Sequence, residues 1–438
     1  MPKTSSRLFG SSGESATPDS YHVEYIKITT NSGDVLDIKD LLQQFEITES
    51  VNSPTITALF VLADAANFFE TYRLNGNEKI DLLVQRAPLT EDGQTKVRFK
   101  LELYIAEIFG YVRNEAGKQF YQFRCVSKHM YHNQLRVVHR AFQGSIGQLV
   151  ENICKHELKL ELNTINKSTK KIIKGVYPSI RPIHTINWLM RNAFDNSTQF
   201  YFYETARDGV IFDSYKSIVG KEVHSKYNNA PFYKHQQGSP EAYEEEREKI
   251  LHFSSPLGLS KLAAAATGCF ASTSHTLDIS TKTYKKDIFD YENGKFSTLN
   301  AYKPYDHDVK FFDQPFNKHK EAKNYFVSLN KNSYGNFDNY HAPLDSTIGK
   351  SEATLHNLEF MTHQLLINGD FDLSVGMNID MQVLKASESE YLGNPTSMID
   401  KVLSGVHMVT ELTHVFEEKY RQRLTVKKDS IGVDLNAK

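Results

Sequence analysis

The 438-residue chain is longer than one ordinary domain, and its length suggests roughly two to four folding units. Its 51 Lys and Arg nearly balance 53 Asp and Glu, a formal charge of −2, which excludes the basic excess that drives tight binding to a phosphate backbone. Cys125, Cys154 and Cys269 are far apart and form no CxxC pair, which excludes a zinc knuckle or disulfide framework and reads as free thiols in a reducing compartment.

Met1 to Ser20, rich in Ser, Gly, Pro and Thr, reads as a flexible arm without the apolar stretch of a secretory signal. No later apolar run approaches the roughly 18 residues that a spanning helix needs. From Tyr21 short strands alternate: Val23 to Thr29, Gln44 to Glu49, then Ile56 to Leu62 with Ile56, Ala58, Phe60 and Leu62 on one face. A short helical piece, Asp64 to Tyr72, leads into the strand Ile80 to Gln85. Val97 to Val112, a turn at Arg113 to Gly117, and Lys118 to Ser127 form a hairpin. Its length and Gly110 predict a bent or bulged strand, as closed barrels require. Residues 21–127 are expected to form a first β-barrel.

The period then changes. Ser145 is placed to cap a helix bearing Ile146, Leu149, Val150 and Ile153, and Thr185 one bearing Ile186, Leu189, Met190 and Ala193. Gln199 to Thr205 and Val210 to Ser214 flank an Asp208-Gly209 turn, so residues 128–220 read as an α+β unit. The polar stretch Lys221 to Lys249, charge-rich from Glu241, reads as a solvated loop or linker. Leu257 to Thr267 predicts a helix stopped by Gly268, and Phe270 to Ile279 with Lys282 to Phe289 predict paired strands. The polar Asp290 to Lys350 carries little periodicity and reads as an insertion. A helix, Ser351 to His363, and strands Gln364 to Asn368, Met377 to Leu384, Val406 to Phe416 and Tyr420 to Lys427 follow. The expected architecture is α+β and β-rich. Two related antiparallel β-barrel domains, 21–127 and 221–289 with 350–427, flank the middle unit, the second is interrupted by 290–349, and 428–438 is a tail.

One pattern occurs twice. Gly76, Ile80, Asp81 and Val84 precede Ile105, Glu107 and Ile108, then Phe120, Phe123 and Val126. Gly376, Ile379, Asp380 and Val383 precede Val409, Glu411 and Leu412, then Tyr420, Leu424 and Val426. In each, a Gly and an Ile-Asp-x-x-Val strand lead into a hairpin. A chain that duplicates a β module and then trimerises presents six similar units, which can match a threefold object to a sixfold one.

Chemical motifs are weak. His356, Glu359 and His363 share a face of the expected last helix, but H-x-x-E-x-x-x-H is not the H-E-x-x-H of metalloproteases. His129 and His132 lack a visible third ligand. Glu107 and Glu411, and likewise Asp81 and Asp380, recur between the modules, which favours cross-strand ion pairs or backbone contacts over duplicated acid catalysis. No G-x-S-x-G elbow, P-loop or G-x-G-x-x-G is present. No catalytic, metal or cofactor residue is assigned, and the expectation is a protein that is not an enzyme.

The stretch Gln364 to Asp380, QLLINGDFDLSVGMNID, resembles the last barrel of the central baseplate hub protein of contractile-tailed bacteriophages. Pro182 to Glu204 is placed like that family's helix and aromatic strand. The resemblance runs from Tyr21 to Val426, is most specific at Leu366 to Val383, and is absent from the insertion and the N-terminal arm. It implies a homotrimer whose six barrels form a ring continuous with the hexameric tail tube or its initiator proteins. The trimeric central spike would sit at the other end, wedge proteins of the baseplate around it, and DNA would meet it only in transit through the lumen. The hub part of type VI secretion spike proteins is built similarly. The implied location is the virion baseplate, with host cytoplasm during assembly. A near-neutral chain suits such a channel, because a basic lining would hold the phosphates. Two rival readings need other features. A tail-tip cell-wall hydrolase needs a cleft carboxylate of raised pKa with a partner, and a carbohydrate-binding tail module needs exposed aromatics on one barrel face.

Overall fold

The computed structural model describes residues 19–86, 98–114, 117–166, 169, 172–193, 198–229, 245–256, 260–291, 296–302, 310–311, 313–329, 342–359, 361–385 and 399–433. Residues 1–18 of the expected N-terminal arm and 434–438 of the expected tail lie outside them.

The first module contains β1 (Tyr21–Thr29), β2 (Val35–Asp37), β3 (Leu42–Ser50), β4 (Thr57–Asp64), β5 (Lys79–Arg86), β6 (Arg98–Arg113) and β7 (Gln119–Val126). Side chains two apart point the same way along a strand, and in β4 Ala58, Phe60 and Leu62 are all buried. The strands lie side by side as β3-β4-β7-β6-β5-β1-β2, every pair antiparallel. Their inward faces meet in one core built on Ile26, Ile47, Phe60, Ile80, Leu103 and Phe123.

The middle unit carries β8 (Ala141–Ser145), β9 (Thr164–Ile165), β10 (Ile172–Val176), β11 (Phe200–Thr205) and β12 (Gly209–Ser214) with helices Lys128–Gln134, Ile146–Ile153, Pro182–Met190 and Tyr215–Val219. Ser145 Oγ accepts the Gln148 N–H and the Gln148 side chain accepts the Ser145 N–H, a reciprocal cap that starts the Ile146–Ile153 helix. Leu149, Ile153, Ile186 and Leu189 then pack against Phe202 and Phe212.

The second module uses β13 (Val223–Asn228) and β14 (Ile250–Ser254). After an inserted unit come β20 (Met361–Asn368), β21 (Asn378–Gln382), β22 (Gly405–Phe416) and β23 (Tyr420–Lys428). The inserted unit holds β15 (Ala271–Asp278), β16 (Thr283–Asp290), β17 (Lys310–Phe311), β18 (Gln314–Pro315), β19 (Asn324–Leu329) and helices Lys261–Ala266 and Ala342–Leu358. β15 pairs antiparallel with β16 and parallel with β19 in a separate three-stranded sheet. The strands 270–289, expected in the second barrel, therefore belong to the inserted unit. β15 buries Ser272, Thr273, Ser274 and Thr276, so no apolar stripe in the sequence signals its partner.

Strand for strand, β13, β14, β20, β21, β22 and β23 repeat β1, β3, β4, β5, β6 and β7 both in chain order and in neighbour order. One direction differs: β1 is antiparallel to β5, whereas β13 is parallel to β21. The two modules are also fused. β22 pairs with β3, so one 13-stranded sheet spans both.

The expected last helix is shifted. It ends at Leu358, and Met361, His363, Leu365 and Ile367 alternate inward along β20. That period-two burial, not a helical stripe, sets the conformation of His363.

Candidate functional site

The repeated positions occupy matched places in the two modules. Ile80 and Ile379 are fully buried and pair with Leu103 and His407. Both long strands bulge at the same point. Ile105 faces Cys125 and Glu107 faces Arg124, with Ala106 extra, while Val409 faces Val426 and Glu411 faces Thr425, with Thr410 extra. This register aligns Phe123 with Leu424 and makes Cys125, rather than Val126, the counterpart of Val426.

The glycines shift by one as well. Gly376 has φ +76° and donates its N–H to Val409 O at 2.9 Å; its counterpart is Asn77, φ +85°, donating to Ile105 O at 2.7 Å. Gly76, φ +89°, precedes that position. Gly and Asn are the residues that best tolerate the left-handed region, so two different letters serve one turn.

The acidic positions of the first module are met by cations on the surface. Lys79 Nζ lies 2.9 Å from Asp81 and 3.2 Å from Glu102 across the strand pair, and the hydrogen bond to Asp81 pushes the Lys79 ammonium up. Glu107 ion-pairs with Arg124 on β7. Asp380 faces Val406, and exposed Glu411 lies between Thr425 and Ser50. The two sets lie in separate modules and do not converge on one cleft.

The histidine groups separate. Glu359 ion-pairs with Lys427, His363 is buried on β20, and buried His129 bonds Pro54 O at 2.8 Å. Among the described residues no group of three or more His, Cys, Asp or Glu could hold a metal.

What does converge is the junction between modules. Glu411 to Phe416 of β22 pair with Ser50 to Phe45 of β3. Phe416 stacks on Phe45 at 4.3 Å and on Tyr420 at 4.6 Å, with Tyr21 edge-on at 5.4 Å. Glu49, 0% exposed, accepts the N–H groups of Ala206 at 2.7 Å and Val375 at 3.5 Å, and His414 Nε2 lies 3.8 Å away. Glu204 accepts the Ile56 N–H at 2.9 Å and the Ser127 hydroxyl at 2.5 Å. Burial pushes the Glu204 carboxyl up, and its hydrogen-bond donors oppose that rise. These two carboxylates tie the middle unit to both β modules. Sequence reasoning passed over Glu49, although Phe45, Ile47 and Glu49 share one phase of β3 and the phase was enough to turn Glu49 inward.

A second buried polar group lies inside the second module. The rings of His363 and His407 are 5.2 Å apart, and buried Lys428 donates to Val402 O at 2.7 Å and to Ser404 O. Burial lowers the Lys428 ammonium to about 8 and the His363 imidazole to about 4, and holds His407 well below its ordinary value.

The remaining exposed feature is a groove beside β6, lined by Asn67, Glu70, Leu74, Gly76, Ile108 and Tyr111 among others. On the side away from β7, the 106–113 stretch of β6 has no strand partner among the described residues.

No family model and no curated protein sequence matches the chain. Its fold is similar to that of solved tail proteins. A tail protein from Neisseria meningitidis MC58 superposes with TM-score 0.53 and 10% identity, covering 93% of this chain and 97% of that one. The 43 kDa tail protein of prophage MuSo2 from Shewanella oneidensis gives TM-score 0.50 and 8% identity, covering 94% and 100%. The chain thus shares its fold with these two tail proteins over nearly its whole length.

Proposed function

We propose that this chain is a structural baseplate hub protein of a contractile phage tail, acting as a homotrimer. Its six β modules form a pseudo-sixfold ring that joins the hexameric tail tube to the trimeric central spike, and DNA passes through the lumen. One observation carries this reading: two modules in one chain share strand order in space and in sequence. Duplication is how a threefold assembly presents six comparable faces. The fold shared with the two tail proteins supports the setting. The proposed role is non-enzymatic; in its support, Asp81 and Glu107 are held in ion pairs and buried Glu49 and Glu204 accept backbone N–H groups.

Light scattering on the purified chain tests this. The expected mass is three times the 50.1 kDa subunit. A monomer at assembly concentrations, unchanged on adding the spike, would remove the ring.

A further inference from the structure

The fused sheet contains one copy of a junction that the duplication implies should occur twice. Within the chain, the outer half of β22 receives β3 of the other module. The repeats of those strands are β6 and β14, and both keep the corresponding edges open. β6 beyond Ile105 has no neighbour on that side among the described residues, with Tyr111 51% and Val112 59% exposed. β14 has β20 as its one strand neighbour among them.

The likeness reaches single residues. β3 meets β4 with a bulge between Leu42 and Gln44, and β14 meets β20 with a bulge between Ile250 and His252. Phe45 faces Phe60, and Phe253 faces Leu365; Phe60 and Leu365 in turn face Phe123 and Leu424, the matched positions of β7 and β23. Hence Phe253 repeats Phe45, and Ser254 repeats Glu46.

The seat is matched too. In the second module the loop before β21 supplies the Val375 N–H to Glu49 of β3, and Thr410 O accepts the Val51 N–H. In the first module the equivalent loop before β5, with Ala106 in Thr410's place, walls the open groove.

We propose that β14 of a second copy of this chain adds to the free edge of β6, repeating the β22–β3 junction between subunits. Val112 then faces Ser254, as Val415 faces Glu46, and Arg113 faces Phe253, as Phe416 faces Phe45. The contact is heterologous, β6 to β14, so each chain offers one of each, and a threefold rotation between neighbours closes the series into the proposed ring. It also covers two strand edges that would otherwise invite uncontrolled pairing. This inference rests on the ring reading and specifies its subunit contact.

Directly opposed residues in an antiparallel pair lie within disulfide reach, and the native thiols are all buried. The double variant Val112→Cys, Ser254→Cys is expected to give a covalent trimer on mild oxidation. Mixing the two single variants should give dimers only, and each single variant alone none. Val35→Cys paired with Ser254→Cys, a control on exposed β2, should not cross-link. A trimer by light scattering without the 112–254 link overturns this pairing and leaves the ring reading standing. A Val112→Cys self-linked dimer would show an isologous contact and overturn the pairing, and a monomer overturns both.

Discussion

Phe416→Ala is expected to destabilise the chain by about 3–5 kcal/mol, the range for deleting a buried aromatic ring from a core that cannot collapse around the gap. The ring is fully buried among Tyr21, Phe45 and Phe371 from distant segments and Tyr420 across its own hairpin. They are held by β1, by β3, by the turn after β20 and by β23, so relaxation at one wall is resisted by the others. Phe416 also ends the β22–β3 pairing, and its loss loosens the seam between modules. Urea unfolding should show the midpoint drop. A loss below about 1 kcal/mol would mean the modules are held together elsewhere.

His363→Gln is expected to flatten the acid limb of stability. Burial holds the folded-state pKa of His363 at about 4, below its ordinary 6.5. Between those values the unfolded chain binds the proton and the folded chain does not. The stabilisation is therefore complete above pH 6.5 and is lost as pH falls to 4, on the order of 3 kcal/mol. His407 lies against His363 and has the same sign, with burial the main cause and Lys428 adding to it. Unfolding free energies at pH 7 and pH 4.5 read the difference. The wild type should lose markedly more than the variant across that interval, and equal losses would show that His363 can charge without unfolding.

Much of the first module was legible in the sequence because its strands alternate cleanly: Ile56, Ala58, Phe60 and Leu62 announce both the strand and its buried face. The repeat was legible for the same reason, through Ile80 and Ile379 and through the Glu107 and Glu411 that follow the bulges. Its register was not, since Asn77 and Gly376 serve one left-handed position with different side chains. The inserted sheet was hidden because β15 is filled with Ser and Thr, and its partner β19 lies far along the chain. His363 read as helical because His356 and Glu359 precede it at helical spacing, and local spacing is silent about the inward alternation that starts at Met361. The junction itself was beyond local pattern: β22 and β3 are separated by most of the chain, and only tertiary structure joins Phe416 to Phe45.

The edges of β6 and β14 that have no partner among the described residues give the duplication a geometric consequence. Electron-microscope projections of the purified oligomer down its axis test the ring most directly. The expected image is a hollow ring of threefold symmetry with a strong sixfold component, from three chains of two modules each. A particle of twofold symmetry, or one without a central opening, would contradict it.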